Sequence, residues 1–158
     1  MVLPKKAPLA SDPDIPEGMH VRLDLDDGPV TIKLLPQVAP DTVANFKVLV
    51  KEGFYDGLSF HRVIPGFMAQ GGDPNGTGAG GPGYRIKAEF NDTRHVRGTV
   101  AMARTSDPDS AGSQFYICYA PQPHLDKQYT VFGQVTEGME LIDAVRNGSV
   151  IRKATLLA

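Results

Sequence analysis

Phe60-His61-Arg62-Val63-Ile64-Pro65-Gly66-Phe67-Met68-Ala69-Gln70-Gly71-Gly72-Asp73 is the stretch on which the rest of the chain turns. Two short apolar runs are broken by Pro-Gly and closed by Gly-Gly, the signals of two strands joined by a turn. Arg62 and Gln70 are the polar groups that such strands would present to a pocket.

On the N-terminal side, strict alternation begins at His20. Val21, Leu23 and Leu25 share one face, Asp26-Asp27-Gly28 supplies turn chemistry, and Val30, Ile32 and Leu34 follow, which predicts a hairpin with one buried face. Pro40-Asp41-Thr42 then precedes Val43, Phe46, Leu49 and Val50 at helical spacing, with Gly53 placed to end the helix. Beyond the central stretch lie a glycine-rich loop from Asn75 to Gly83 and predicted strands at Thr99 to Ala103, Ser113 to Tyr119 and Tyr129 to Val135. Met139, Ile142 and Val145 mark a second short helix that Asn147-Gly148 stops, and Val150 to Leu157 closes the chain. Many short strands, frequent turns and only two helices favour a mainly β, antiparallel barrel with the helices over its open ends, against a βαβ architecture.

The 158 residues fit one domain with a real core. Hydrophobic content of 41% and a net charge of -2 are ordinary for a globular chain and provide no electrostatic pull toward nucleic acid or a membrane surface. The single cysteine, Cys118, rules out an internal disulfide and sits in an apolar run, as a small core residue would. Residues 1–18 carry Lys5, Lys6 and four prolines without an apolar run of secretory length, so a flexible tail is expected ahead of a domain at 19–158, in the cytoplasm.

Several local patterns carry no chemistry in their context. Gly76-Thr77-Gly78-Ala79-Gly80-Gly81 fits the dinucleotide fingerprint letter by letter, but Asp73-Pro74-Asn75 precedes it and Pro82-Gly83 follows, where a phosphate cradle needs a strand and a helix. The four histidines are too scattered for a metal pair, so no metal or cofactor is expected. Asp73, Asp107, Asp109 and Asp126 sit in turn-like sequence, where aspartate caps backbone groups. Ser113 lacks the G-x-S-x-G setting of a hydrolase nucleophile.

The central stretch, together with Gly78 to Tyr84, Ala111-Gly112-Ser113-Gln114-Phe115, Leu125-Asp126 and Val131-Phe132-Gly133 in that order, resembles the cyclophilins, the family of peptidyl-prolyl cis-trans isomerases. The resemblance spans roughly residues 19 to 157. It implies a closed eight-stranded antiparallel β-barrel capped by two α-helices, with a peptide groove on its outer surface. It further implies a cofactor-free, monomeric isomerase that acts on proline-containing peptides and unfolded proteins. The alternative is a proline-peptide binding or chaperone-like module with incidental isomerase activity.

Carried over by motif, Arg62 matches the catalytic arginine, Gln70 and Gln114 match polar positions beside it, and Phe67, Met68 and Leu125 match the walls of the proline pocket. Ala103 and Arg104 fall at the flank of the groove, Arg104 where many members have asparagine in a segment whose backbone holds the peptide. Tyr116 stands where phenylalanine is usual, so its hydroxyl must find a partner. His124 replaces a tryptophan and Tyr129 a pocket histidine, which makes the chain similar to bacterial members that bind cyclosporin weakly.

Overall fold

The computed structural model describes residues 1–158, and the alternation that begins at His20 becomes the hairpin of β1 (His20–Leu25) and β2 (Gly28–Leu34). Val21 faces Ile32 and Leu23 faces Val30 across it, all four fully buried, so each cross-strand pair adds to one apolar surface. Helix α1 (Pro40–Lys51) starts with a proline in its first turn and buries Val43, Phe46, Leu49 and Val50. Ala39, at its N-cap, has no side-chain oxygen to offer. The free backbone donors are instead met by Glu89, which accepts from Asp41 N at 3.2 Å and from Thr42 N and Oγ1 at 2.7 Å each. Gly53, just past the last turn, takes the left-handed φ of +77° and ends the helix.

The remaining strands are β3 (Ser59–Phe60), β4 (Arg62–Ile64), β5 (Met68–Gly71), β6 (Thr99–Met102), β7 (Phe115–Cys118), β8 (Val131–Glu137), β9 (Ser149–Val150) and β10 (Lys153–Leu157). Helix α2 is a short Met139–Asp143, two residues shy of the expected Val145. It packs beside β2, and α1 beside β10. Residues 1–18, expected as a flexible tail, hold no helix or strand and run past α1: Val2 N donates to Glu52 Oε2 at 3.2 Å, Ala10 N to Asp41 Oδ1 at 2.8 Å, and Leu3 and Ala7 touch the core.

Eight strands form one antiparallel sheet in the order β10-β1-β2-β8-β6-β7-β5-β4. The closed barrel expected from the resemblance is therefore corrected to an open, curled sheet, because its edge strands β4 and β10 do not pair with each other. The cause is local. On its outer side β4 meets a side chain and not a strand, with Val63 N donating to Asn147 Oδ1 at 2.6 Å. The seam is spanned by the separate β3–β9 ladder and by bonds from Gly148 N to Phe60 O at 2.9 Å and from Ile151 N to Leu58 O at 2.8 Å.

The sheet is buried on both faces where it matters for function. Ala69, Val100, Met102, Phe115, Ile117 and Phe132 point inward to the main core, where Phe46 meets the rings of Tyr55, Phe115 and Phe132 at centroid distances of 5.1, 5.8 and 5.0 Å. The alternate residues of the same strands, Met68, Ala101, Tyr116, Cys118 and Val131, form a second apolar cluster on the opposite face. Phe67, Ala103, Leu125 and Tyr129 pack around that second cluster, leaving an open depression above it.

Candidate active site

That depression is a cavity of about 480 Å³. Of the eleven residues expected at a site, nine line it: Arg62, Phe67, Met68, Gln70, Ala103, Arg104, Tyr116, Leu125 and Tyr129. Gln114 lines an adjoining groove of about 560 Å³. His124 lines neither; its exposed ring lies 6.0 Å from that of Phe67, centroid to centroid. His61, Gly76, Thr77 and Gly78 complete the lining, and none of the four is among the eleven expected site residues, although the loop of the last three is expected beside a groove. His61 was the residue next to Arg62, and its ring is pushed toward the neutral form by burial, with Asp73 opposing and Arg62 reinforcing the shift.

The turn at Pro65-Gly66 places Arg62 and Gln70 directly opposite each other in the β4–β5 register, so both side chains leave the sheet on the same face. Arg62 is exposed, and its guanidinium makes no ion pair and no hydrogen bond within the chain. Gln70 does not bond to it. Gln70 Nε2 donates to Gln114 Oε1 at 3.0 Å, and Gln114 Nε2 donates to the carbonyls of Gly78 and Gly80 at 3.0 and 2.9 Å. The glycine-rich loop thus fixes the pair of glutamines.

Asp73 in turn fixes the loop. Burial alone would raise its carboxyl, but backbone N–H donors of Asn75, Gly80, Gly78 and Thr77 outweigh that and hold it down to about 2. The Asp73 contacts run at 2.8 Å to Asn75 N, 2.9 Å to Thr77 N and 2.5 Å to Gly78 N. Gly80 must be glycine because a Cβ there would lie 2.0 Å from Asp73 Oδ1. The capping role expected of Asp73, Asp107, Asp109 and Asp126 is what each performs: Asp107 Oδ1 accepts from Asp109 N and Asp109 Oδ1 from Ala88 N, both at 2.9 Å.

The hydroxyl of Tyr116 has its partner beneath the cavity. Tyr116 Oη lies 2.8 Å from Nε2 of His95, whose side chain is fully buried, and His95 Nδ1 lies 3.0 Å from Asp126 Oδ1. Asp126 Oδ1 also accepts from His95 N at 2.7 Å. With the Asp126 carboxylate accepting from Nδ1–H, Nε2 is the acceptor and Tyr116 the donor. Burial holds the imidazole below its usual range and therefore neutral, with Asp126 opposing. This chain ties β7 to the turn that carries Leu125. Nothing in the spacing of residues 95, 116 and 126 marks it. Cys118 is fully buried in the same cluster, and burial pushes its thiol up to about 12, which removes it as a nucleophile.

On the far wall Arg104 lies over the Tyr129 ring, 4.5 Å from its centroid, and 5.7 Å from that of Phe90. Its Nε and Nη2 donate to Gln128 O at 3.2 and 2.6 Å, and Nη1 to Thr105 O at 2.8 Å. Its own backbone N–H and C=O make no bond within the chain. No group of three or more histidines, cysteines or carboxylates gathers here or elsewhere in a form that could hold a metal ion.

Residues 20–157 match the family described as cyclophilin type peptidyl-prolyl cis-trans isomerase/CLD. Peptidyl-prolyl cis-trans isomerase B of Bacillus subtilis (strain 168) is 53% identical over 132 residues, covering 82% of this chain and 92% of that protein. A peptidyl-prolyl cis-trans isomerase of Helicobacter pylori (strain ATCC 700392 / 26695) is 43% identical over 155 residues, 96% of this chain and 94% of that protein. Among solved structures, a cyclophilin type peptidyl-prolyl cis-trans isomerase of Cryptosporidium parvum, crystallised in the presence of the dipeptide Ala-Pro, superposes with a TM-score of 0.81 at 29% identity, covering 88% of this chain and 99% of that one.

Proposed function

The chain belongs to the cyclophilin-type peptidyl-prolyl cis-trans isomerases, and from that premise we propose that Arg62 drives rotation about an X-Pro bond whose proline ring sits in the cavity over Met68 and Tyr116. The protein is an isomerase. The observation that carries the assignment of Arg62 is its unpaired guanidinium lining the same cavity as Phe67, Met68 and Leu125, with no carboxylate to satisfy it.

No covalent bond is made or broken in this reaction. The X-Pro amide resists rotation because resonance gives C–N double-bond character, with a barrier of about 18–20 kcal/mol. In the twisted state the nitrogen becomes pyramidal and regains a lone pair. A guanidinium donor there stabilises the transition state and not the planar ground state, and it stays charged at every physiological pH. Phe67, Met68, Tyr116 and Leu125 supply apolar walls that hold the ring and thin the water around the amide, which strengthens that bond. Arg104 N–H and C=O, free of partners within the chain, are placed to hold the peptide backbone while one flank turns. Gln70, locked to Gln114, orients the substrate carbonyl.

Uncatalysed isomerisation takes tens to hundreds of seconds. Millisecond turnover requires a factor on the order of 10⁵, about 7 kcal/mol. One charged hydrogen bond in a desolvated pocket is worth roughly 3–4 kcal/mol in comparable sites, and restraint of the two peptide flanks supplies the remainder.

Proline-limited refolding and a tetrapeptide isomerisation assay test this directly. Arg62→Ala should lower kcat/KM by about 10²–10³ with an unchanged circular dichroism spectrum, since the side chain bonds to nothing in the folded protein. Retention of the full rate by that variant refutes the assignment. We further take the protein to act as a monomer in the cytoplasm on proline-containing segments of unfolded chains. Support comes from a groove completed within one chain and from a single free thiol. Cyclosporin is expected to bind weakly, because His124 stands in place of a tryptophan and lines neither depression. Tight inhibition of the isomerase assay would contradict this.

A further inference from the structure

The protein carries a net charge of -2, yet its substrate surface is cationic. The proline cavity is lined by Arg62 and Arg104, and the adjoining groove by Arg104 and Arg85, with no carboxylate lining either. The nearby acids are turned into the scaffold. Asp73 is consumed by backbone donors of the glycine-rich loop, Glu89 caps α1, Asp126 holds His95, and Asp109 accepts from Ala88 N. Only Asp107 offsets a groove arginine, Arg85, across an exposed 3.5 Å pair.

Arg104 stands where the two depressions meet, since it lines both. Two backbone carbonyls and the Tyr129 ring hold its guanidinium in place but leave its full unit of charge uncompensated. A peptide whose proline occupies the cavity must pass this point to reach the adjoining groove. We propose that Arg104 is a specificity-determining residue that makes the preferred substrates X-Pro segments carrying a carboxylate within three residues of the proline.

This selectivity rests on the isomerase assignment, and its cause is long-range attraction more than a fixed directed bond, because three of the five Arg104 N–H donors are already engaged with backbone carbonyls. An exposed charge pair of this kind acts within the Debye length, about 8 Å at physiological salt and about 3 Å at 1 M. Selectivity should therefore be modest and salt-sensitive. The expected size is about fivefold in kcat/KM for Glu over Lys, which equals about 1 kcal/mol.

The experiment measures kcat/KM for peptides bearing Glu, Gln or Lys at each of the three positions on either side of proline. Native protein is compared with Arg104→Gln, Arg104→Lys and Arg104→Glu, at 50 mM and 1 M salt. The expected result is a Glu-over-Lys ratio near five at one or more positions in native protein, retained in Arg104→Lys, near one in Arg104→Gln, and inverted in Arg104→Glu. High salt should bring the native ratio toward one. A native ratio near one at every position, or the same ratio in Arg104→Gln as in native protein, overturns the proposal while leaving the isomerase assignment intact. Absence of turnover with every peptide overturns both.

Discussion

Replacing Tyr116 by phenylalanine removes one oxygen and tests whether the buried relay under the pocket is a structural necessity. Tyr116 and His95 are 5% and 1% exposed, so no solvent replaces the lost donor at His95 Nε2. An unsatisfied buried polar group costs about 1–3 kcal/mol. Each kcal/mol lowers the melting temperature of a domain of this size by about 2–4 °C, so a central cost of about 2 kcal/mol means a drop of roughly 4–8 °C. Because the phenyl ring still fills the wall, the damage should show more in stability than in the shape of the proline pocket. Pairing Tyr116→Phe with His95→Leu removes both ends of the bond, and the double variant should be more stable than the sum of the two single losses predicts.

The relay also sets a pH dependence. Burial lowers the His95 pKa in the folded state, so between the unfolded value near 6.5 and that lower value the unfolded chain binds the proton that the folded protein refuses. The stability is fully present above about 6.5 and declines as pH falls below it. Urea melts of native protein and the three variants at pH 7.5 and 5.5 provide the measurement. A Tyr116→Phe protein as stable as native at pH 7.5, with additive behaviour in the double variant, would refute the relay.

Gly80→Ala should place a methyl group against Asp73 Oδ1 and free the glycine-rich loop. Faster amide exchange at Gly78 and Thr77, together with a raised KM, is the expected signature. Asp73→Asn should cost about 2 kcal/mol in a urea melt at pH 7, the scale of a charge-assisted bond to backbone donors. Because the folded Asp73 pKa lies at about 2, its contribution is present above about 4 and lost as pH falls toward 2, so native and variant melts should converge there. Glu89→Ala removes the acceptor for Asp41 N and Thr42 N, and the first turn of α1 should lose exchange protection with a stability loss of about 1 kcal/mol.

What could be read without coordinates is what depends on neighbours in the chain. Alternation from Val21 to Leu34, the helical spacing of Val43, Phe46, Leu49 and Val50, and the Pro65-Gly66 turn that sets Arg62 opposite Gln70 are consequences of backbone geometry with periods of two and 3.6 residues. Tertiary structure alone decided which distant groups satisfy one another. Tyr116 meets His95 and Asp126, Glu89 caps a helix that begins 49 residues earlier, and Asn147 occupies the outer side of β4, which leaves the sheet open where closure was expected. The physical reason is the same in each case. A buried donor or acceptor must be paired, but any suitable group that the fold brings within 3 Å will serve, so the demand is visible in one residue and its answer is not. The tyrosine hydroxyl announced that it needed a partner. Only the packing of three separate segments said which.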